Sequence, residues 1–209
     1  MQENGLFAAV SGKDAAIKQS NPGLMITDRL VYKLVVFPED EAGKTVRQLA
    51  AEISNKAPAD MNIHSKPYVP IAAFEGTELM EPTLIRWIQR VCNSHNRFTV
   101  WFNNFGTSPS ECLHLRIMDA EPFLKLISGL RAIDDYIHSN NNGKIKWFTR
   151  PVCSLASGPA GESWFEFIRE QLKQEFHASF QSCSLVLLKS VGDEQENEAE
   201  LVNVFPLFP

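Results

Sequence analysis

The sequence lacks any long apolar run and any excess of positive charge. No segment approaches the roughly 18 consecutive apolar residues that a membrane-spanning helix needs, so we expect no membrane partner. The 209 residues carry 20 Lys and Arg against 25 Asp and Glu, which gives a net charge of −5 at pH 7. This balance argues against general binding to nucleic-acid backbone, although one basic groove on an acidic protein would be compatible with it.

Paired cysteines and metal-ligand spacings are also absent. Cys92, Cys112, Cys153 and Cys183 lie far apart, with no CxxC pair and no histidine at ligand spacing. This pattern is typical of reduced, buried thiols in a cytoplasmic protein, and it predicts neither a metal site nor a cofactor. The first 28 residues have an acid near their start and no long apolar segment, which argues against a signal peptide and predicts an N-terminal arm.

From residue 29 onward, segments with strand and helix periodicity alternate. Strands are predicted over 29–37, 66–74, 97–105, 112–118, 145–157, 179–191 and 199–208. Amphipathic helices are predicted over 41–55, 82–94, 121–137 and 162–176, the last with Trp164, Phe165, Ile168, Leu172 and Phe176 turned inward. The tryptophans lie in periodic apolar segments and are expected in the core. The second half repeats the order of elements in the first, which predicts two βα lobes within one domain over 29–209.

Two of the predicted strands have an unusual composition. "KPYVPIAAF" at 66–74 has the apolar and aromatic residues of a buried strand, yet Pro70 stands in its middle. A central strand would normally need the N–H that proline lacks. "RPVCSLASG" at 150–158 also begins with a proline, continues through a short apolar run and stops at small residues. The two segments are therefore interpreted as two copies of one motif.

This layout resembles the two-histidine phosphoesterases, also called the 2′-5′ RNA ligase-like superfamily. The likeness is carried by "PYVPIAAF" and "PVCSLASG", whose first residues are 84 positions apart, and by the closing strands "SFQSCSLVLLKS" and "AELVNVFPLF". In that family each lobe carries a Pro-His-x-Ser/Thr-x-Ala motif on a central strand. The resemblance implies an α+β fold with two lobes, duplicated βα architecture, antiparallel sheets around a central groove and helices outside.

The resemblance also assigns roles to four positions, and three of them differ from the family pattern. Tyr68 and Val152 stand where the family has histidine, Pro70 stands where it has Ser or Thr, and Ser154 keeps the hydroxyl. In the family one imidazole takes a proton from the attacking hydroxyl and the other gives one to the leaving oxygen. Valine cannot move a proton, and free tyrosine, with a pKa of about 10, is a poor base at pH 7. The family's phosphodiesterase reaction is therefore not expected.

Other residues offer alternatives for the site. His64 is followed by a serine and lies four positions before Tyr68, but placing it in the motif would put Lys66 in the hydroxyl position. In the strand at 112–118, alternation places His114 and Arg116 on the face opposite the leucines. An arginine on a groove could hold a phosphate or carboxylate through two hydrogen bonds, whereas on a solvated sheet face both residues would have no such role.

Three functions follow from these residues. The first is a protein that has lost phosphodiesterase activity and keeps a groove for a small phosphate-containing, anionic or nucleotide-like ligand, or for a protein partner. The second is an active phosphoesterase with relocated groups, using His114 or His64 with Tyr68 and Ser154. The third is a structural or interaction protein whose groove is filled by its own side chains.

Overall fold

The computed structural model of the protein describes residues 30–108, 112–141, 143–158, 161–191 and 199–209. Its strands are β1 (Leu30–Val36), β2 (Asn62–Ile63), β3 (Val69–Gly76), β4 (Phe98–Ser108), β5 (Cys112–Ile117), β6 (Lys146–Trp147), β7 (Val152–Ser157), β8 (His177–Ser182), β9 (Ser184–Val191) and β10 (Glu200–Pro206). Its α-helices are α1 (Asp40–Lys56), α2 (Glu81–Cys92), α3 (Glu121–Leu130), α4 (Asp134–Asn141) and α5 (Glu162–Gln171). The predicted arm over 1–28 lies outside the described residues.

The described strands form two five-stranded antiparallel sheets in which the motif strands β3 and β7 hold equivalent places. Sheet 1 has the order β10-β9-β1-β3-β6, and sheet 2, taken in the matching direction, has the order β8-β4-β5-β7-β2. The fold is therefore the duplicated α+β architecture that the resemblance implied. α1 lies against β2 and β8 of sheet 2, α2 contacts β10 and α3, and α4 contacts β3.

The apolar core side chains occupy every second position of the central strands, because successive side chains of a strand point to opposite faces. In β1 the side chains of Tyr32, Leu34 and Val36 are buried. In β5 the same holds for Leu113 and Leu115. These residues belong to one continuous apolar core that also takes in the inner faces of the helices. The opposite face of each central strand carries the positions that the motifs assign, and we call it the motif face.

The two halves are connected crosswise by pairs of short segments. β2 precedes β3 in sequence but pairs with β7, and β6 precedes β7 but pairs with β3. Just after β2, the backbone N–H of His64 donates to the Leu155 carbonyl at 2.9 Å. Just after β6, the backbone N–H of Phe148 donates to the Ile71 carbonyl at 3.0 Å. The two donors, His64 and Phe148, are 84 residues apart, and so are the two acceptors, Ile71 and Leu155. The two motifs have the same separation, so the chain contains an internal two-fold repeat.

The predicted helices differ from the observed ones at two places. The segment predicted as one helix over 121–137 is divided into α3 and α4 by one turn of 3₁₀ helix at Arg131–Ile133. The helix predicted to reach residue 176 ends at Gln171, and its predicted inward residues Phe165, 55% exposed, and Leu172 face outward. The buried positions of α5 are instead Trp164, Phe167, Ile168 and Gln171.

Two expectations about single residue types also need correction. Trp87 and Trp101, which were expected in the core, are both exposed. All four cysteines are free thiols, but only Cys92 and Cys153 are buried. Burial raises the pKa of the Cys92 thiol to about 12, so this group is neutral and unreactive at pH 7.

Candidate functional site

Tyr68 lies just before β3 and points to the motif face of sheet 1. Its hydroxyl accepts a hydrogen bond from Lys33 Nζ at 3.4 Å. Its ring meets Phe37 edge-on, with 5.8 Å between the ring centroids. Lys33 alternates with buried Tyr32 and Leu34 in β1, so it lies on the face opposite the core. The first motif therefore presents a tyrosine hydroxyl beside an ammonium group.

The same backbone irregularity occurs in both motif strands. In β3 the pairing with β1 passes from Pro70 directly to Ala72 and skips Ile71. In β7 the pairing with β5 passes from Ser154 directly to Ala156 and skips Leu155. A bulge interrupts the regular ladder, and bulges are places where a strand tolerates proline. This explains how Pro70 fits into a central strand, and it places the fourth residue of each motif beside an equivalent bulge.

The second motif brings four of the predicted site residues onto one face of sheet 2. Ser154 lies directly opposite His114, and Val152 lies directly opposite Arg116 in the antiparallel pair β5–β7. Residues directly opposite each other in such a pair share a face. The Cys112 thiol donates to the Ser154 hydroxyl oxygen, with 3.3 Å between Sγ and Oγ. A hydroxyl, an imidazole and a guanidinium therefore lie side by side.

His114 is the most buried of the predicted site residues. It is only 7% exposed, and its Nδ1 is buried with no hydrogen-bond partner. Burial lowers the pKa of the imidazole, a hydrogen bond to the Cys112 backbone opposes that shift, and the nearby Arg116 charge lowers the pKa further. His114 is therefore neutral at pH 7. Its burial contradicts the alternative of a solvated sheet face for His114, whereas Arg116 is exposed.

A glycine on the neighbouring strand makes room for the His114 side chain. Gly106 of β4 lies opposite His114. A Cβ at this position would be 2.6 Å from His114 Nε2 and 2.9 Å from Arg116 Cγ. The imidazole and the arginine stem therefore lie over the bare backbone of Gly106, and any larger residue would displace them.

The motif face of sheet 1 borders a cavity of about 370 Å³. Its walls are formed by Phe37, His64, Lys66, Tyr68, Val186, Leu188, Ala199 and Leu201. The cavity brings His64 and Tyr68 together, which is the pairing that the second of the three functions requires. Pro70, Val152, Ser154, His114 and Arg116 are not among its lining residues.

Sequence reasoning did not identify most of this cavity. Val186 and Leu188 come from β9, far along the chain, so only strand pairing reveals that they lie beside β1. One local pattern in the sequence pointed to the surroundings of Tyr68, because Lys33 is the one charged residue in the apolar run "LVYKLVV". Among the described residues there is no cluster of three or more His, Cys, Asp or Glu side chains that could hold a metal ion.

Crosswise strand pairing together with two bulged motif strands defines a bilobal, duplicated α+β fold, and several solved structures share it. TT0787 of Thermus thermophilus matches it with a TM-score of 0.62 at 19% identity, covering 86% of this chain and 97% of that one. E. coli LigT, solved with 3′-AMP, matches with a TM-score of 0.60 at 13% identity, covering 87% of this chain and 99% of that one. The MHV ns2 PDE domain matches with a TM-score of 0.52 at 14% identity, covering 76% of this chain and 98% of that one.

These likenesses confirm the fold that the two Pro-headed segments predicted. No protein-family model matches the sequence, and no curated protein does either. At this level of identity the likeness concerns the fold alone. Within the described residues, no helix is both long enough and apolar enough to cross a membrane.

Proposed function

We propose that this protein has lost the cyclic phosphodiesterase reaction of the two-histidine fold and binds a small anionic or nucleotide-like ligand on its motif faces. The observation that carries this proposal is the pair of equivalent bulged strands. Tyr68, just before β3, and Val152, at the start of β7, occupy the positions where the family has histidine. General acid–base groups typically contribute about 10² to 10⁴-fold each to a rate. Replacing both imidazoles removes most of the catalytic power that such a site needs.

Several groups that could hold an anion remain near the motifs. The Ser154 hydroxyl and the exposed Arg116 lie on one face of sheet 2. Lys33 lies beside Tyr68 on sheet 1. E. coli LigT, which shares the fold, has been solved with phosphate, ATP and NADP+. A phosphate-containing ligand or a protein partner with a similar anionic group is the class that these residues fit best.

A second candidate function rests on His64. This imidazole lines the same cavity as Tyr68, so a relocated acid–base pair would have both members in one pocket. In this alternative His64 would supply the proton transfer and Tyr68 or Ser154 would orient the phosphoryl group. His114 fits that role less well, because it is buried and neutral.

The test is a turnover assay of the purified protein on 2′,3′-cyclic AMP, with a known cyclic phosphodiesterase as positive control. We expect no hydrolysis above the buffer rate. Hydrolysis that disappears in Ser154→Ala or Tyr68→Phe would overturn the inactive assignment, and hydrolysis that disappears in His64→Ala would establish the second candidate.

Binding is measured separately by calorimetry with inorganic phosphate and 3′-AMP. Hydrogen bonds to a charged group contribute about 1.5–3 kcal/mol, so Arg116→Ala should weaken binding roughly tenfold to a hundredfold. Arg90→Ala is the matched control, because Arg90 is an exposed arginine on α2, away from the motif faces. Equal affinities for the two variants would remove Arg116 from the site.

A further inference from the structure

Trp101 is an exposed aromatic residue on the motif face of sheet 2. In β4 it lies between Val100 and Phe102, which are buried in the core, whereas the Trp101 side chain is 53% exposed. Since successive side chains of a strand point to opposite faces, the indole ring lies on the side away from the core. Met118, which is 67% exposed, donates its N–H to the Trp101 carbonyl at 3.0 Å. Two large apolar side chains therefore meet solvent at one place on this sheet.

Arg116 is the diagonal neighbour of Trp101 across the pair β4–β5. Phe102 lies opposite Ile117, so Trp101 lies opposite Met118, and Arg116 is two residues from Met118 on the same face. Diagonal neighbours in an antiparallel pair are about 7–8 Å apart, which is within reach of aromatic and long side chains. The indole ring and the guanidinium therefore border the same patch of the motif face.

The guanidinium of Arg116 is available to an anion. Arg116 is exposed, and within the described residues no carboxylate forms an ion pair with it. β4, β5, β7 and β8 contain no Asp or Glu, and Arg116 is the one Lys or Arg among their residues. The nearest acid along the chain, Asp119, accepts the Glu121 N–H at 2.9 Å at the start of α3. This patch is therefore positive on a protein whose net charge is −5.

The patch also borders the second motif. Val152 lies directly opposite Arg116 on β7, and Ser154 lies two residues further along the same face. An arginine can hold a phosphate through two hydrogen bonds, and an exposed aromatic ring can stack on a nucleobase. A nucleotide carries both groups and separates them by a single sugar, which suits a diagonal pair of side chains.

We infer that Trp101 stacks on the base of a nucleotide whose phosphate is held by Arg116. This inference rests on the proposed function, because it takes the motif face of sheet 2 to be the ligand site. It deepens that function by assigning base recognition to one residue. Every base has a face on which an aromatic ring can stack, so this contact distinguishes nucleotides from small anions without reading the identity of the base.

Calorimetric titration of the full chain with 3′-AMP and inorganic phosphate tests the stacking contact. We expect 3′-AMP to bind roughly tenfold more tightly than phosphate, because only 3′-AMP has a base. Trp101→Ala should remove this difference and leave phosphate binding unchanged, whereas Trp101→Phe, which keeps an aromatic ring, should retain most of it. Trp87→Ala is the matched control, since Trp87 is a 40% exposed tryptophan on α2. Equal 3′-AMP affinities in Trp101→Ala and Trp87→Ala would overturn the inference.

Adenosine, which has the base but no phosphate, completes the design. Trp101→Ala should weaken the binding of adenosine and 3′-AMP but not of phosphate, and Arg116→Ala should weaken the binding of phosphate and 3′-AMP but not of adenosine. If Trp101→Ala weakens phosphate binding as much as 3′-AMP binding, the ring does not act by stacking and the inference fails. Trp101→Leu, which keeps an apolar side chain without a ring, replaces Trp101→Ala if circular dichroism shows that the alanine variant is unfolded.

The same probes separate this inference from the proposed function. If phosphate binds in an Arg116-dependent way and 3′-AMP binds no more tightly than phosphate, the proposed function stands and the inference fails. If 3′-AMP binds with the expected dependence on Trp101 and Arg116, the inference stands whatever the cyclic phosphodiesterase assay gives. If neither phosphate nor 3′-AMP binds, both fail.

Discussion

His114 has the most unusual environment of the site residues, because a polar ring is buried without satisfying both of its nitrogens. Leaving a buried polar group without a partner typically costs about 1–3 kcal/mol. Burial also disfavours the charged form, and the Arg116 charge acts in the same direction on the pKa. The folded protein therefore holds His114 in the neutral form, and Gly106 provides the space for the ring.

This environment predicts how stability depends on pH. A free histidine has a pKa of about 6.5, and folding lowers the pKa of His114. Below pH 6.5 the unfolded chain therefore takes up a proton that the folded chain does not, and the free energy of unfolding falls as the pH falls. The contribution of His114 is at most about 1.4 kcal/mol per pH unit and ends when the pH reaches the pKa in the folded state.

Urea unfolding at several pH values between 7 and 5 measures this slope. His114→Gln should reduce the loss of stability on acidification, because glutamine does not titrate. His138→Gln is the control, since His138 is exposed on α4, and it should leave the slope unchanged. Identical slopes in the two variants would show that His114 is not the titrating group.

At the scale of elements, β4 and the chain after α5 are joined by one asparagine. Asn104 has a φ of 59°, a left-handed conformation that asparagine tolerates better than most residues. Its N–H donates to the Phe176 carbonyl at 2.7 Å, and its Oδ1 accepts the Phe176 N–H at 2.9 Å. The Phe176 ring packs near Phe102 and Phe105 of β4. These contacts fix Phe176 to the sheet and explain why the predicted helix does not continue to it.

Substitutions of Asn104 should separate the contribution of its side-chain hydrogen bond from that of its left-handed backbone conformation. Asn104→Ala loses the side-chain hydrogen bond. It also places alanine, which has no polar side chain to stabilise the left-handed conformation, at positive φ. We therefore expect it to destabilise the protein by about 2–3 kcal/mol. Asn104→Gly loses the hydrogen bond but relieves the backbone, so a loss of about 1 kcal/mol is expected. Urea unfolding compares both with Asn103→Ala, at a neighbouring position with negative φ. Equal losses for the alanine and glycine variants would refute the role of the backbone conformation.

At the scale of the whole molecule, the crosswise strands connect the two sheets into one body. Each motif strand pairs with the short strand that leads into the other motif. β3 and β7 are also in contact. Each sheet contains a strand from the other half of the chain, so neither half forms a complete sheet of its own. One domain over 29–209 stays a prediction.

Cooperative unfolding tests that prediction. Leu187→Ala in sheet 1 and Leu155→Ala in sheet 2 each remove a fully buried side chain, and each should cost about 2–5 kcal/mol. Hydrogen exchange read out by peptide should accelerate in both sheets for either variant. An acceleration restricted to the sheet that carries the substitution would indicate two separately folding lobes.

The elements along the chain were largely predictable because alternation and helical spacing are local properties. β1, α1 and α2 were predicted close to their observed bounds. The predictions that were wrong involve tertiary contacts. Phe165 and Leu172 have the helical spacing of core residues, but the buried side of α5 carries Trp164 and Phe167 instead. The cavity wall from β9 was not predictable because its residues are more than 100 positions away from Tyr68.

Residue identities and strand alternation were enough to point to the two Pro-headed strands, to their separation of 84 residues and to Tyr68 and Val152 as the residues at the positions that the resemblance assigns to histidine. The folded chain was needed to show that His114 is buried beside Ser154, that Pro70 lies at a bulge, and that His64 shares an apolar cavity with Tyr68. These features depend on strand register between segments that are distant in sequence, and no local pattern in the chain encodes that register.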